Sequence, residues 1–242
     1  CQKNPSRNAG VFLFYPENLA APLSLFYQVT KGKAESLMPT TLLILLLIAL
    51  PTSLLADDLS RLLPEAATRQ VLTQLQDNTQ PRFAVVDYAR RSSEPRLMLF
   101  DRRSHKLLAS YRVAHGQGSD RDHDGYAERF SDAADSHASS LGTFRTGASY
   151  LSPTPGHGLS MRLQGLSVSN RNAEQRAIVL HGNFYMEADF IQRHGVAGRS
   201  HGCLVLANAD RDKVIDALQS GSLLFAIDSR QTAQDYLRTM TQ

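Results

Sequence analysis

Cys203 is the residue of this 242-residue chain best suited to covalent chemistry. It ends the segment Gly198-Arg-Ser-His-Gly-Cys203, so a glycine and an imidazole precede it directly. Sulfur attacks an acyl carbon as the thiolate, and a nearby imidazole can take the thiol proton to form a thiolate–imidazolium pair. His181 follows the apolar run Ala177-Ile-Val-Leu180 and precedes Gly182. The two segments predict a cysteine nucleophile at Cys203 with a histidine base at His181.

Gly182 and Gly202 lie directly beside His181 and Cys203, and glycine suits a site where the backbone must approach a substrate closely. The backbone N–H groups of Gly202 and Cys203 are candidates for binding a developing oxyanion. The competing interpretation of Cys203 is an inert, buried thiol that packs like a small apolar side chain.

The N-terminal part of the chain has the pattern of an export signal. Nine apolar residues run from Leu42 to Leu50, and Pro51 ends the run. A membrane-spanning helix needs ~20 apolar residues, whereas a secretory signal core is shorter and precedes a small residue such as Ala56. We therefore expect translation to start at Met38, cleavage after Ala56, and a protein exported to the periplasm or cell envelope. An N-terminal anchor helix is the alternative.

Composition excludes several classes of protein. The chain is 42% hydrophobic and 20% charged, as in packed globular proteins. It has no Trp, 7% aromatic residues and a net charge of +3, which argues against a nucleic-acid partner. Its two Cys can build neither a disulfide framework nor a four-thiolate zinc site. Export would remove Cys1 and leave Cys203 unpaired in an oxidising compartment, which favours a reactive thiol or an intermolecular bridge.

Hydrophobic patterning predicts a mainly β, β-rich α+β domain with a few peripheral helices. A long polar stretch over 115–150 predicts a loop, and loops of this length in a compact domain are often functional. Asn208 is the expected N-cap of the second helix. The predicted helices cover 64–76 and 209–219, and the predicted strands cover 82–88, 96–100, 106–113, 159–163, 177–180 and 222–227, the first three as an antiparallel meander.

Leu180-His-Gly182 followed by Gly198-Arg-Ser-His-Gly-Cys203 resembles the signature of the murein L,D-transpeptidase family of the YkuD type. The resemblance extends to Val113-Ala-His-Gly116, Ser139-Ser-Leu-Gly142 and Arg176-Ala-Ile-Val-Leu-His-Gly182, and covers about 81–228. It implies a single L,D-transpeptidase-like β-sandwich or barrel domain. The expected organisation is an upstream segment plus signal peptide (1–56), a helical lead (57–80), the catalytic domain (81–228) and a C-terminal tail (229–242).

The resemblance also implies a function and a set of site residues. It implies attack on the bond between the L-centre of diaminopimelate and the terminal D-Ala of a peptidoglycan tetrapeptide, with a thioester intermediate. An amine of a second stem then gives a 3→3 crosslink, whereas water gives L,D-carboxypeptidase action. No cofactor is expected, and the membrane is involved only through the signal peptide. The implied catalytic residues are Cys203, His181 and His201, the last orienting the loop, and the implied oxyanion or substrate-binding residues are Gly202, Ser200, Arg199 and Gly182.

Two features depart from the family pattern. Most members carry Arg two residues after the nucleophile, where this chain has Val205, and Arg199 is the candidate to take over that role. His181 and Cys203 lie 22 residues apart, which is longer than in typical members. The extra residues around 185–194 must therefore be absorbed in an additional turn.

Other interpretations stay open. His181, His201 and Cys203 are legitimate zinc ligands, so a zinc-dependent or other wall peptidase is an alternative, as is a non-catalytic wall-binding module. Papain-like enzymes place Cys before His, which is the opposite order.

Asp120-Arg-Asp-His-Asp-Gly125 resembles the start of a calcium loop, but Ser131 stands at the closing Glu position, so a solvated acidic loop competes with calcium binding. His115 is expected to be structural or to line the cleft, and histidines 105, 123, 137, 157 and 194 are expected to be solvated.

Overall fold

The computed structural model describes residues 57–218 and 221–240. The predicted start at Met38, the apolar run Leu42–Leu50 and the cleavage after Ala56 lie outside the described residues. Within the described residues, no helix has the length and apolar character needed to cross a membrane.

Eight strands form one sheet with the neighbour order β3-β2-β1-β8-β4-β5-β6-β7. The pairs β1–β8 and β6–β7 are parallel and the other pairs are antiparallel. The predicted meander is confirmed in β1 to β3. The strands are β1 (Arg82–Asp87), β2 (Leu97–Asp101), β3 (Leu107–Tyr111), β4 (Gly142–Leu151), β5 (Leu159–Gly165), β6 (Val179–Gly182), β7 (Leu204–Leu206) and β8 (Leu223–Ile227).

The sheet is nearly closed into a barrel. The chain leaving β3 crosses to the opposite edge strand β7, where the Ala114 N–H donates to the Val205 carbonyl at 2.8 Å. Gly116 then forms an isolated parallel bridge with Ser200. The predicted β-rich fold with a few helices is confirmed, and the closing segment lies directly beside the residues that precede Cys203.

Helices cover the sheet. They are α1 (Asp58–Leu62), α2 (Glu65–Leu75), α3 (Ala188–His194), α4 (Asn208–Ala217) and α5 (Ala233–Met240), with 3-10 turns at Val168–Asn170 and Phe184–Met186. One core cluster joins α1, α2 and α5 to β1 and β8 through Leu59, Val71, Tyr236, Phe83 and Phe225. The opposite cluster packs α4 against the other face, with Val214 and Leu218 on Leu180 and Leu204.

The structure corrects three local predictions. The 115–150 loop ends at 141, because β4 begins at Gly142 and its first residues pair with β8, a pairing too distant in sequence to appear in local periodicity. Asn208 is not the N-cap of α4; Ala207 holds that position, and the Asn208 amide donates to Glu187 Oε1 at 3.1 Å. The strand expected at 177–180 begins at Val179, because Ala177 has φ +54°, which no β-strand accommodates.

The segments expected to flank the catalytic domain both contain helix. The helix predicted at 64–76 is confirmed as α2, while α1 and α5 have no counterpart in the prediction. Tyr236 of α5 is buried, and its hydroxyl donates to the Asp228 carbonyl at 2.9 Å. The lead and the tail therefore contribute side chains to the same outer core as the sheet.

Candidate active site

The parallel pair β6–β7 places His181 and Cys203 on one face of the sheet. His181 stands opposite Val205, and Leu180 stands opposite Leu204. Side chains alternate along a strand, and paired residues of parallel strands face the same side. Cys203, two residues before Val205, therefore shares the face of His181, while Leu180 and Leu204 point into the core on the other face.

The Cys203 thiol is half-buried against an apolar cluster that includes Met186 and Val205. Its Sγ donates to the Ala177 carbonyl at 3.7 Å. Burial raises the pKa of the Cys203 thiol, although the Val179 N–H and the Arg176 guanidinium act in the opposite direction. The resting nucleophile is consequently a neutral thiol at neutral pH.

The His181 imidazole is buried and has a defined tautomer. Its Nδ1 lies 2.8 Å from the Gly182 carbonyl, and a carbonyl only accepts, so Nδ1 carries the proton and Nε2 keeps its lone pair. Burial lowers the pKa of His181 to about 4, with further lowering from His157 and Arg211. A neutral imidazole with a free Nε2 is the form that a general base requires.

His181 and Cys203 do not form a resting ion pair. Within residues 57–218 and 221–240 the structure contains no hydrogen bond between the two side chains. The opposite pKa shifts of the two groups also favour the neutral pair. The pKa shifts thus favour a neutral pair over the thiolate–imidazolium pair that the sequence predicts, and in a neutral pair the proton moves as the sulfur attacks.

His157 was missed as a site residue and is not a solvated loop residue. Its ring stacks on His181 with centroids 3.6 Å apart and planes 15° apart. Its carbonyl accepts from the Gly182 N–H at 3.2 Å and from Arg211 Nη1 at 3.0 Å. A Cβ at Gly182 would lie 2.5 Å from Arg211 Nη1, so this glycine permits the arrangement. The stack covers His181, and only the three-dimensional fold brings the two rings together.

We expect His157→Ala to raise the pKa of His181 from about 4 toward the ordinary 6.5. The small side chain admits water to the ring and removes a like charge, and both changes favour the imidazolium. An NMR titration of the His181 ring nitrogens measures this shift. The pH below which activity falls should also rise, since a protonated His181 cannot act as a base. His157→Phe keeps the aromatic cover and should leave the pKa nearer to 4; equal titration of wild type and both variants would contradict the role of the stack.

The turn before Cys203 is held by its own hydrogen bonds. Ser200 Oγ donates to the Cys203 carbonyl at 2.8 Å and accepts from the Gly202 N–H at 3.0 Å. Gly202 has φ +113°, and a Cβ there would meet the Ala138 carbonyl oxygen at 2.7 Å. Only glycine fits this position. The oxyanion role of Gly202 stays a prediction, and the N–H would have to leave Ser200 to fulfil it.

The residues that lengthen the His181–Cys203 interval form the 3-10 turn Phe184–Met186 and α3. The Tyr185 ring lies against Gly198, where a Cβ would be 2.5 Å from the ring. The Gly198 N–H donates to the Tyr185 carbonyl at 3.0 Å. The extra segment therefore supports the backbone that leads to the nucleophile.

His201 is exposed and faces a second histidine. Its ring stacks on His137 with centroids 4.2 Å apart, and both rings line a cavity of about 320 Å³ that Arg176 and Ala177 also line. His201 lies two residues before the nucleophile along the chain, and among the described residues its ring stacks on His137 and not on His181. Its orienting role stays a prediction.

Arg176 and Arg199, which precede the nucleophile along the chain, both donate to backbone carbonyls. Arg199 Nη1 donates to the Asp120 carbonyl, and the predicted role of Arg199 in substrate binding stays a prediction. Arg176, to which the sequence assigned no role, is the cation that acts on the Cys203 thiol. Its Nη1 donates to the Ser131 carbonyl at 3.0 Å and its Nη2 to the Ala138 carbonyl at 2.7 Å. Arg176 thereby ties the 131–140 loop against Gly202.

We expect Arg176→Met to lower the free energy of unfolding by about 3 kcal/mol, because buried carbonyls lose charge-assisted bonds. The pKa of the Cys203 thiol should rise further, since a nearby cation disappears. Thermal melting and the pH dependence of iodoacetamide labelling measure the two effects. Arg171→Met, an exposed arginine five residues upstream, is the matched control and should change neither.

A fully buried polar network lies behind the loop that precedes the nucleophile. His115 Nδ1 accepts from Arg96 at 2.9 Å, and its Nε2 donates to Asp120 Oδ2 at 2.9 Å. Burial lowers the pKa of His115 to about 4, and the Arg96 charge adds to this. The Ser200 N–H donates to the His115 carbonyl at 2.9 Å. His115 therefore has a structural role in fixing the segment that leads to Cys203.

The acidic loop gathers the oxygens of Asp120, Asp122 and Asp124 within 4.8 Å of one another. These three could hold a cation such as calcium, although Asp120 already accepts from His115 and from the Gly125 N–H at 3.1 Å. Asp122 and Asp124 are exposed. Asp120 is thus part of the buried network, not of a solvated acidic loop.

The donor atoms of the zinc alternative are not gathered into a site. Among the described residues, Asp120, Asp122 and Asp124 are the one set of three histidine, cysteine or carboxylate ligands within ligating distance. His181, His201 and Cys203 do not form such a set. The geometry therefore does not favour the zinc interpretation.

Comparison with known proteins identifies the kind of domain. A family profile described as the L,D-transpeptidase catalytic domain matches residues 59–227. No curated protein matches the chain. Among solved structures, the chain is similar to an L,D-transpeptidase from Mycobacterium smegmatis (13% identity, TM-score 0.37, 60% of this chain and 58% of that one). It is also similar to an L,D-transpeptidase from Stackebrandtia nassauensis (13% identity, TM-score 0.38, 72% and 68%). The match thus spans about three fifths of the M. smegmatis chain.

Proposed function

The chain belongs to the L,D-transpeptidase catalytic domain family, and on this premise we propose that it is a cysteine-dependent acyltransferase acting on peptidoglycan stem peptides. The observation that carries the proposal is the placement of the Cys203 thiol and the His181 imidazole on one face of β6–β7. A free Nε2 on His181 and cavities beside Ala177 support it.

The proposed first step forms a thioester on Cys203. Sγ attacks the carbonyl carbon of the L-centre of diaminopimelate, and its proton passes to His181 Nε2. The C–N bond to the terminal D-Ala then breaks, and the departing amine takes the proton from His181. His181 returns to its neutral form, which its low pKa favours.

The proposed second step transfers the acyl group to an amine or to water. An amine of a second stem gives a 3→3 crosslink, and water gives L,D-carboxypeptidase action. In both cases the C–S bond breaks and the sulfur recovers a proton. The balance depends on how well the site binds the amine and keeps water away from the thioester.

We also propose that the protein acts outside the cytoplasmic membrane. The apolar run Leu42–Leu50, the small residue Ala56 and the location of peptidoglycan support export. A single unpaired cysteine downstream of the signal agrees with a thiol retained for catalysis.

Intact-protein mass spectrometry with a carbapenem tests the proposed chemistry. Opening of the β-lactam by the thiol adds the whole carbapenem, so the wild-type protein should gain the mass of one molecule. Cys203→Ala should gain none. Identical spectra for wild type and Cys203→Ala would overturn the assignment.

A further inference from the structure

A cleft of about 240 Å³ opens beside the nucleophile on the side of His157. Ala177 and Val179 form part of its wall, and the same two residues contact the thiol, through the Ala177 carbonyl at 3.7 Å and the Val179 N–H. His157, which stacks on His181, also lines it. The cleft therefore borders the two residues that contact the sulfur and the ring that covers the base.

The cleft is lined by two exposed charged side chains of opposite sign, Arg162 and Glu174. The Arg162 guanidinium lies over the Tyr150 ring, 4.9 Å from its centroid. In the described part of the chain, neither the guanidinium nor the Glu174 carboxylate has a hydrogen-bond or ion-pair partner. Both charges are available to a ligand.

The cavity of about 320 Å³ that His137, His201 and Ala177 line has an arginine whose donors already have partners. Its arginine, Arg176, already donates to the Ser131 and Ala138 carbonyls and lies 3.6 Å from an Asp132 carboxylate oxygen. It has little capacity left for a substrate carboxylate. Arg162 is therefore the better anion-binding group near the thioester position.

We propose that this cleft binds the amine acceptor through its zwitterionic amino-acid end, with Arg162 on the carboxylate and Glu174 on the ammonium. The inference rests on the proposed function and names its acceptor class. The volume is below the roughly 300–1,000 Å³ of sites for drug-sized ligands, so the cleft fits one amino-acid head and not a whole stem. Both a free amino acid and the side-chain end of a diamino-acid stem carry this group.

The transfer step then balances as follows. The bound ammonium loses one proton to solvent, and the neutral nitrogen attacks the thioester carbonyl carbon. The C–N bond forms, the C–S bond breaks, and the second proton of the amine reaches the sulfur through His181. Arg162 and Glu174 orient the acceptor and take no part in the bond changes.

Competition between two acceptors on the full-length protein tests the proposal. D-alanine and D-alaninamide are offered together with a tetrapeptide donor, and the ratio of the two exchange products is measured. This ratio is divided by the ratio of the two amines' rates with a small thioester in solution at the same pH, which removes the difference in amine basicity. We expect wild type to favour D-alanine by about 10-fold or more, because a charge-assisted hydrogen bond from Arg162 to the carboxylate contributes a factor of this size. Because both products come from one acyl-enzyme, the ratio is independent of how fast each variant acylates.

Arg162→Met should bring the ratio close to one while its stem still covers Tyr150. Glu174→Gln should lower transfer to both amines relative to hydrolysis. Arg171→Met and Glu94→Gln, exposed residues outside the cleft, are the matched controls and should keep the wild-type ratio. A tetrapeptide that also serves as acceptor reports whether a stem side chain uses the same cleft. A wild-type ratio near one, or a preference retained in Arg162→Met, would overturn the inference.

Binding without turnover separates this inference from the proposed function. In an NMR titration, D-alanine should shift the amide resonances of Arg162 and of residues 174–179, and D-alaninamide should not. If wild type released no terminal residue from the donor, the proposed function would fail while the titration still decided the cleft. An absence of shifts with D-alanine would reject the cleft even in an active enzyme.

Discussion

Replacing Cys203 with serine is expected to abolish release of the terminal residue from a tetrapeptide, with a loss of about 10⁴-fold or more. A hydroxyl is far less acidic than a thiol, and an imidazole with a pKa of about 4 is too weak a base to ionise it. Chromatographic assay of the released D-Ala measures the loss. Near-wild-type turnover by the serine variant would remove Cys203 from the mechanism.

The serine variant must also retain its fold for the result to be informative. Serine is close to cysteine in size, and the Ala177 carbonyl that accepts from Sγ can accept equally from a hydroxyl. We therefore expect thermal melting within a few degrees of wild type.

Replacing His181 with glutamine is expected to lower kcat/KM by about 10²–10⁴-fold, the range of one general base. The pH profile should change together with the rate. The wild-type imidazole is neutral above its pKa of about 4, so activity should persist into mildly acidic solution and fall only as pH approaches 4. The variant depends on the preformed thiolate, and since burial raises the thiol pKa, its residual activity should rise steeply toward alkaline pH.

The control for this substitution is His194→Gln, which changes an exposed histidine of α3. It should keep both the rate and the pH profile of wild type. If His181→Gln retained the wild-type acid limb, another group would have to act as the base. Measurements of kcat/KM between pH 4 and 9 distinguish the two cases.

The local patterns of the sequence were sufficient for the meander and for α2. In β1 to β3 the pairing partners are consecutive, so alternation and turn residues specify both the strands and their order. β4 has no comparable signal, because its first residues pair with β8, which lies far along the chain. α1 and α5 are too short to give a clear periodicity, and their helices are stabilised by burial of Leu59 and Tyr236.

The sequence by itself identified the chemical groups of the site, since the order of His181-Gly182 and Ser200-His-Gly-Cys203 along the chain is a local property. Only the tertiary structure decided the protonation state and the surroundings of these groups. The pKa shifts of Cys203 and His181 come from burial by distant segments, and the stack of His157 on His181 depends on Arg211 of α4. Both the desolvation of a group and its long-range contacts depend on all the residues that surround it in space. Many of these neighbours are distant in sequence, so local sequence patterns do not reveal them.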